Sequence, residues 1–374
     1  MVGNVNEFHD WRKKIDEGVK SDLKNYFQDR DYVVMAVPKE EPLRVWAVKA
    51  TNVARTARRI HRLSPMAAAV MGRAIVGAIL LSSLIKHGSD QRIGLKIEGD
   101  GPIGMVYVEV DGKGRVRGFV KNPDVPLMVK EVNGKTKLDI AKAVGNGTLT
   151  VIKDLRTGKP YVGVVPLVSG EIAEDIAYYL AQSEQIPSAV GIGVKLDEKG
   201  EIKVAGGWMV QEMGGTSEKA LQVIEEAVKK LPPVSDLLEQ GKRPEDIALM
   251  LIPEELNPHL LGLKEIEYYC PCNEDTVKGL IAGLPDEDVE EIFKENELME
   301  VTCHFCGKVY RFTREEVEQI RKEARENSEK NSHGDGEEKS QKVQSREGQE
   351  PEGSKENRNP EGEQPENKNG ESDK

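Results

Sequence analysis

The chain has 374 residues, with 65 acidic and 53 basic side chains and a formal net charge of −12. At roughly 100–200 residues per domain this length predicts two or three domains, and the acidic balance argues against a protein that wraps duplex nucleic acid. Only four cysteines occur, all between positions 270 and 306, so a secreted disulfide scaffold gives way to one local cysteine site in a reducing compartment.

Residues 1–30 are charged and loosely amphipathic, and are expected as an extension whose helix packs outside the first domain. No basic segment followed by an apolar one marks a secretory signal. From Asp31 onward the pattern becomes strand-like: Tyr32–Val37 and Leu43–Val48 flank the turn Pro38-Lys-Glu-Glu-Pro42. Met66–Ile85 is apolar and long enough to span a bilayer. Arg73 within it would cost about 2.5–3.5 kcal/mol at a membrane centre, and Ser64-Pro65 reads as an N-cap with proline at the first helical position. A buried core helix is the expectation, with no membrane partner. Strands are predicted over Ile93–Ile97, Met105–Val110, Val116–Val120, Leu149–Ile152 and Tyr161–Val165. A helix follows at Glu171–Gln182, then strands at Val190–Leu196 and Ile202–Val210. Strands clustered between helices, without strict alternation, indicate an α+β fold rather than a doubly wound sheet.

From Thr216 to Tyr268 the chain reads as short helices, Glu218–Leu231 and Glu245–Leu251, broken by prolines. Such a segment has little means of making its own core. It is expected to lie on a neighbour through apolar residues such as Leu249 and Leu251. Beyond Arg325 the composition collapses: Val343 is the only aliphatic or aromatic residue from 331 to 374. Residues 326–374 carry 14 acids against 8 bases, and this polarity predicts a disordered tail.

The informative segment is Tyr268-Tyr-Cys270-Pro-Cys272, thirty intervening residues, then Cys303-His-Phe-Cys306. Four thiols in two tight pairs match the ligand count of tetrahedral Zn²⁺. Val301–Phe312 reads as strand, knuckle and strand with Gly307 at the turn, and Thr313-Arg-Glu-Glu316 as a capping box opening the last helix. A module of about 55 residues with few large apolar groups needs a staple, and structural zinc supplies about 10–16 kcal/mol in small peptides. His304 is surplus to a four-sulfur shell. The first pair is spaced CxC, whose disulfide would be strained and readily reduced, which suits switching better than a static zinc ribbon.

The CPC and CHFC pairs, C-terminal to an α/β body, resemble the redox-regulated chaperones of the 33-kDa heat-shock protein family. The stretch Arg58-Arg-Ile-His-Arg-Leu-Ser-Pro-Met-Ala-Ala-Ala-Val-Met-Gly-Arg-Ala resembles that family's basic segment, SP turn and alanine-rich helix, and Gly206-Gly-Trp-Met-Val-Gln its core-closing strand. The resemblance covers about residues 31–325 and implies an N-terminal mixed α/β chaperone core over 31–215. After it would come a metastable helical linker over 216–268, a zinc-binding redox-switch domain over 269–325 and the acidic tail. It implies a cytoplasmic, ATP-independent holdase and no enzyme. Cys270, Cys272, Cys303 and Cys306 would hold one Zn²⁺ in the inactive reduced form. Oxidation would form Cys270–Cys272 and Cys303–Cys306, expel the metal and unfold switch and linker. The protein would then dimerise, bind unfolding clients and hand them to ATP-dependent foldases.

Other features carry less. Arg55, Arg58, Arg59 and Arg62 recur at helical spacing and could bind phosphate, but such a stripe is more often solvated or paired with local carboxylates. Gly99-Asp-Gly-Pro-Ile-Gly104 links two strands and leads into no helix, which discards a phosphate loop. Two rival readings are a thiol oxidoreductase using Cys303 and Cys306, and a zinc-ribbon RNA binder stacking bases on Tyr268, Tyr269, Phe305 and Tyr310. The acidic surroundings argue against nucleic acid as a partner.

Overall fold

The computed structural model describes residues 29–132 and 134–341; the extension before Asp29 and the tail beyond Gln341 lie outside them. Two compact units emerge. One takes the chain up to Val277 together with Glu300–Arg311, the other Lys278–Met299 and the chain from Phe312.

The first unit is built on strands β1 (Asp31–Pro38), β2 (Leu43–Lys49), β3 (Arg92–Gly99), β4 (Met105–Asp111) and β5 (Arg115–Val120). A small separate hairpin, β6 (Val129–Val132) and β7 (Lys135–Leu138), follows, and then β8 (Gly147–Asp154), β9 (Tyr161–Pro166), β10 (Ser188–Leu196), β11 (Ile202–Glu212) and β12 (Pro258–Tyr268). Ten strands make one sheet in the order β10-β11-β2-β1-β12-β5-β4-β3-β8-β9. Its neighbours are antiparallel except β12 and β5, which meet in parallel through Glu267↔Arg115 and Tyr268↔Val116. The α+β expectation stands. On β4, buried Val106, Val108 and Val110 alternate with half-buried Tyr107 and Glu109, so the period of two sends one face to the core and leaves the other available.

Helix α1 (Thr51–His61) and helix α2 (Pro65–Leu81) cover the core face. Ser64 Oγ accepts from Ala67 N at 3.4 Å, with Pro65 at the first position. The stretch Pro65–Leu84 is apolar enough for a membrane, yet 83% of its most apolar window is buried within the fold. Arg73 is accommodated by Glu171, whose Oε2 lies 2.6 Å from its Nη1. The short helix α3 (Ile140–Val144) and the β6–β7 hairpin have no counterpart in the sequence reading. Helix α4 (Ala173–Gln182) falls within its predicted span. Gly99–Gly104 joins antiparallel β3 and β4, as expected for a strand connection.

Helices α5 (Glu218–Lys230), α6 (Val234–Glu239) and α7 (Pro244–Leu251) pack through Ile224, Leu237, Ile247 and Leu251 on Val34, Ala36, Val45 and Val210. Of the two leucines expected to dock this segment, Leu251 is fully buried whereas Leu249 is only half-buried; Ile247 takes that place. Residues 258–268, expected within a helical linker, form β12 instead. Their apolar residues and Gly262 pair along β1 from Asp31↔Ile266 to Pro38↔Pro258, and this long-range pairing overrides the local reading.

Helices α8 (Glu274–Ala282), α9 (Asp286–Glu295) and α10 (Arg314–Gln341) and strands β13 (Met299–Thr302) and β14 (Val309–Phe312) complete the described chain. In the second unit, Arg321 Nη1 donates to Leu284 O at 2.6 Å and its other nitrogen pairs with Asp286. The capping box is present: Thr313 N donates to Glu316 Oε2 at 2.8 Å, and Glu316 N to Thr313 Oγ1 at 3.3 Å. Helix α10 runs past residue 326 into the segment expected to be disordered. Glu, Lys, Arg and Gln are good helix formers, so a composition that cannot make a core still permits a helix.

Candidate metal centre

Strand β12 delivers the first cysteine pair. Beyond its parallel contact, Tyr269 N donates to Val116 O at 2.9 Å, which directs Cys270 off the edge of β5. Asn273 closes the CPC segment, its Oδ1 accepting from Thr276 N at 2.8 Å to begin α8. The second pair sits in a knuckle between β13 and β14. Gly307 N donates to Cys303 O at 2.8 Å and Cys303 N to Lys308 O at 2.9 Å. Gly307 has φ +68°, a conformation that glycine adopts without strain. The Cys303–Cys306 pair therefore opens no helix, unlike the motif of a thioredoxin-like oxidoreductase.

The four sulfurs converge: all lie within 4.8 Å of one another, and each is half-buried. Cys270 Sγ is 3.7 Å from Cys303 Sγ, and Cys272 Sγ is 3.2 Å from Cys306 Sγ. Tetrahedral zinc with Zn–S bonds of about 2.3 Å needs sulfurs about 3.8 Å apart, so the donor set fits such an ion. All four thiols are free of disulfides. His304 stays outside the cluster, its ring 5.9 Å from that of Phe119.

The electrostatics ask for a cation. Burial opposes charge on Cys272, but hydrogen bonds from the Tyr310 hydroxyl at 3.3 Å and from the neighbouring thiols outweigh it and bring the thiol down to about 7. Cys270 and Cys306 move the other way, pushed up first by burial and then by their thiol neighbours. Four sulfurs this close cannot all ionise alone, and a bound divalent ion removes that conflict.

The second knuckle rests on the outer face of β4 and β5. Phe305 meets Phe119 edge-on at 5.4 Å and Tyr107 at 6.1 Å, while Arg117 Cζ stands 4.2 Å above its ring. The Tyr268 hydroxyl donates to Phe305 O at 2.5 Å; it also lies 3.0 Å from Gly118 O and 3.1 Å from His61 Nε2. Sequence reasoning missed Tyr107, Arg117, Phe119 and His61. Alternation places the first three on one strand face, but nothing local shows that the knuckle covers it. The four aromatics considered for base stacking are dispersed: Phe305 and Tyr268 are engaged here, Tyr310 is buried beside Cys272, and Tyr269 lies under Arg115.

The arginine stripe is partly consumed internally. Arg55 donates to Ile202 O at 2.7 Å and Lys203 O at 2.9 Å, and Arg58 pairs with Glu201 at 2.8 Å. Arg59 and Arg62 line an open depression beside them.

A family model described as Hsp33 protein matches residues 31–313. The 33 kDa chaperonin of Aquifex aeolicus (strain VF5) is 59% identical over 321 residues, covering 85% of this chain and 98% of that protein. That of Acetivibrio thermocellus is 42% identical, covering 77% and 95%. The crystal structure of the 33 kDa chaperonin from Thermotoga maritima superposes with a TM-score of 0.71 at 37% identity, covering 79% of this chain and 99% of that one. With its converged cysteine pairs and this extent of likeness, the chain belongs to the Hsp33 family of 33 kDa chaperonins.

Proposed function

We propose that this protein is a cytoplasmic, redox-regulated holdase chaperone whose switch is the cluster of Cys270, Cys272, Cys303 and Cys306. The observation that carries the reading is the convergence of two sequence-distant thiol pairs within 4.8 Å in a chain of this family. Cys270, Cys272, Cys303 and Cys306 would hold a zinc ion as four thiolates, and its charge would be what keeps all four sulfurs ionised side by side. The thiolates are what peroxide attacks. Each pair gives up two electrons as Cys270 bonds to Cys272 and Cys303 to Cys306, and each peroxide leaves as two waters with the protons taken up. Loss of these thiolates would leave the metal without ligands, and the segment from Thr216 to Tyr268, no longer anchored at its end, loosens. The oxidised protein then dimerises, holds unfolding clients without ATP and passes them to ATP-dependent foldases.

The test is to follow zinc release and suppression of aggregation together during peroxide treatment at elevated temperature. One zinc per reduced chain should leave as protection of a thermally unfolding enzyme appears. Equal protection by reduced protein, or tight zinc binding after all four cysteines become serine, refutes the reading.

A further inference from the structure

The ring of Phe305 fills a box that the sheet makes by itself. Tyr107 and Phe119 are direct cross-strand partners on β4 and β5, as are Glu109 and Arg117. Glu109 fixes Arg117 through contacts of 3.0 Å to Nε and 2.8 Å to Nη2, and holds Arg92 at 3.1 Å on the other side. The Tyr107 phenol lies over Gly94, where a Cβ would come within 2.6 Å of its hydroxyl. All these residues belong to β3, β4 and β5. None comes from the knuckle, so the box outlasts the departure of its occupant. The occupant itself is placed to leave, because Phe305 lies between the two cysteines of the second pair. Cys270 is also close enough to act electrostatically on Arg117, which puts the box beside both halves of the switch.

We propose that the Tyr107–Arg117–Phe119 box is a binding subsite for an aromatic side chain of an unfolding polypeptide, and that Phe305 is its resident occupant in the reduced protein. This rests on the holdase reading and names a surface for it. Two half-buried aromatic rings and a guanidinium set at van der Waals distance accept the face and edge of a phenyl ring. Phenylalanine is a core residue exposed when a client unfolds. The resident ring shows which chemistry fits, and its position ties vacancy of the box to oxidation of Cys303 and Cys306.

The experiment uses the full chain and two fluorescent unstructured peptides that differ only in one phenylalanine replaced by serine. Oxidised wild type should prefer the phenylalanine peptide by about tenfold, and Phe119→Ala should remove most of that preference. Phe119→Leu, which keeps bulk without the ring, should also lose it, and guards against a variant that fails to fold. Reduced Phe305→Ala, with its zinc retained, should bind the phenylalanine peptide where reduced wild type does not. The proposal is overturned if both Phe119 variants keep the full preference, or if zinc-loaded Phe305→Ala binds no better than wild type. Oxidised wild type that fails to suppress aggregation at all defeats the holdase reading. Suppression with no preference between the peptides defeats only the box.

Discussion

Lys264 is a charge in an unfavourable place. Its Nζ donates to Ser82 Oγ at 2.9 Å, and burial pulls its pKa from 10.5 down to about 8, with Asp111 opposing more weakly. His87 nearby is lowered by burial and then by Lys264 itself. Once β12 leaves the sheet the amine regains its ordinary proton affinity, so the docked state binds protons more weakly. Docking is therefore favoured above the free pKa and loses that support as pH falls through about 8. One such group moves stability by up to about 1.4 kcal/mol per pH unit in this window. Lys264→Met should raise stability at pH 7 by roughly 1–3 kcal/mol and flatten its rise between about pH 8 and 10. Ser82 keeps a partner in the variant, donating to Ile79 O at 2.6 Å. Urea unfolding at several pH values checks this; parallel curves for the two proteins would show that the buried amine carries no penalty.

At the scale of elements, β12 joins two half-sheets. It pairs with β1 along its length but with β5 through two residue pairs only. The helices beside it are held by apolar contacts, among them Ile247 and Leu251 at 0% exposure. Replacing such a residue by a smaller one typically costs about 2–5 kcal/mol, a large share of a short docked segment. Ile247→Ser or Leu251→Ser should make reduced, zinc-loaded protein partly active and cleavable by protease within residues 218–257. Leu249→Ser should do less, because its side chain is only half-buried. Full inactivity of both buried variants contradicts this. The same region marks where the sequence was legible. Strands β1 to β5 and helix α2 could be read because period and caps are local signals. The cysteine pairs could be read because ligand spacing is local too. Strand β12 was hidden because its pairing with β1 links residues more than two hundred apart. The box around Phe305 was hidden because its walls and occupant come from different parts of the chain, and only tertiary packing unites them.

At the scale of the whole molecule, stability is unevenly shared. Among the described residues, both main hydrophobic clusters end at or before Tyr268. The cysteine pairs beyond that point are held to the sheet by their own sulfur cluster, the contacts of Phe305 and the hydroxyl of Tyr268. Loss of the sulfur ligands should therefore open the chain from the C-terminal end of β12 backward. The core of α2, β3 and β4, with Ile75, Ile79, Leu95 and Val108 essentially inaccessible, should stay closed. The Cys303–Cys306 bond should form before Cys270–Cys272, because a two-residue spacer closes a less strained ring. Metal release should then precede undocking of the helices, whose apolar contacts are expected to persist until the second bond and heat act together. Hydrogen exchange resolves these steps. Chelation under reducing conditions should deprotect amides 263–269 first and leave 66–81 protected; full oxidation should add 218–257. Thiol trapping with disulfide mapping on the same samples gives the bond order. Early appearance of the CxC bond, or of disulfides joining Cys270 to Cys303 and Cys272 to Cys306, overturns the order. Loss of protection in α2 at the same rate as β12 would mean global unfolding, in which no folded core remains to present a client surface.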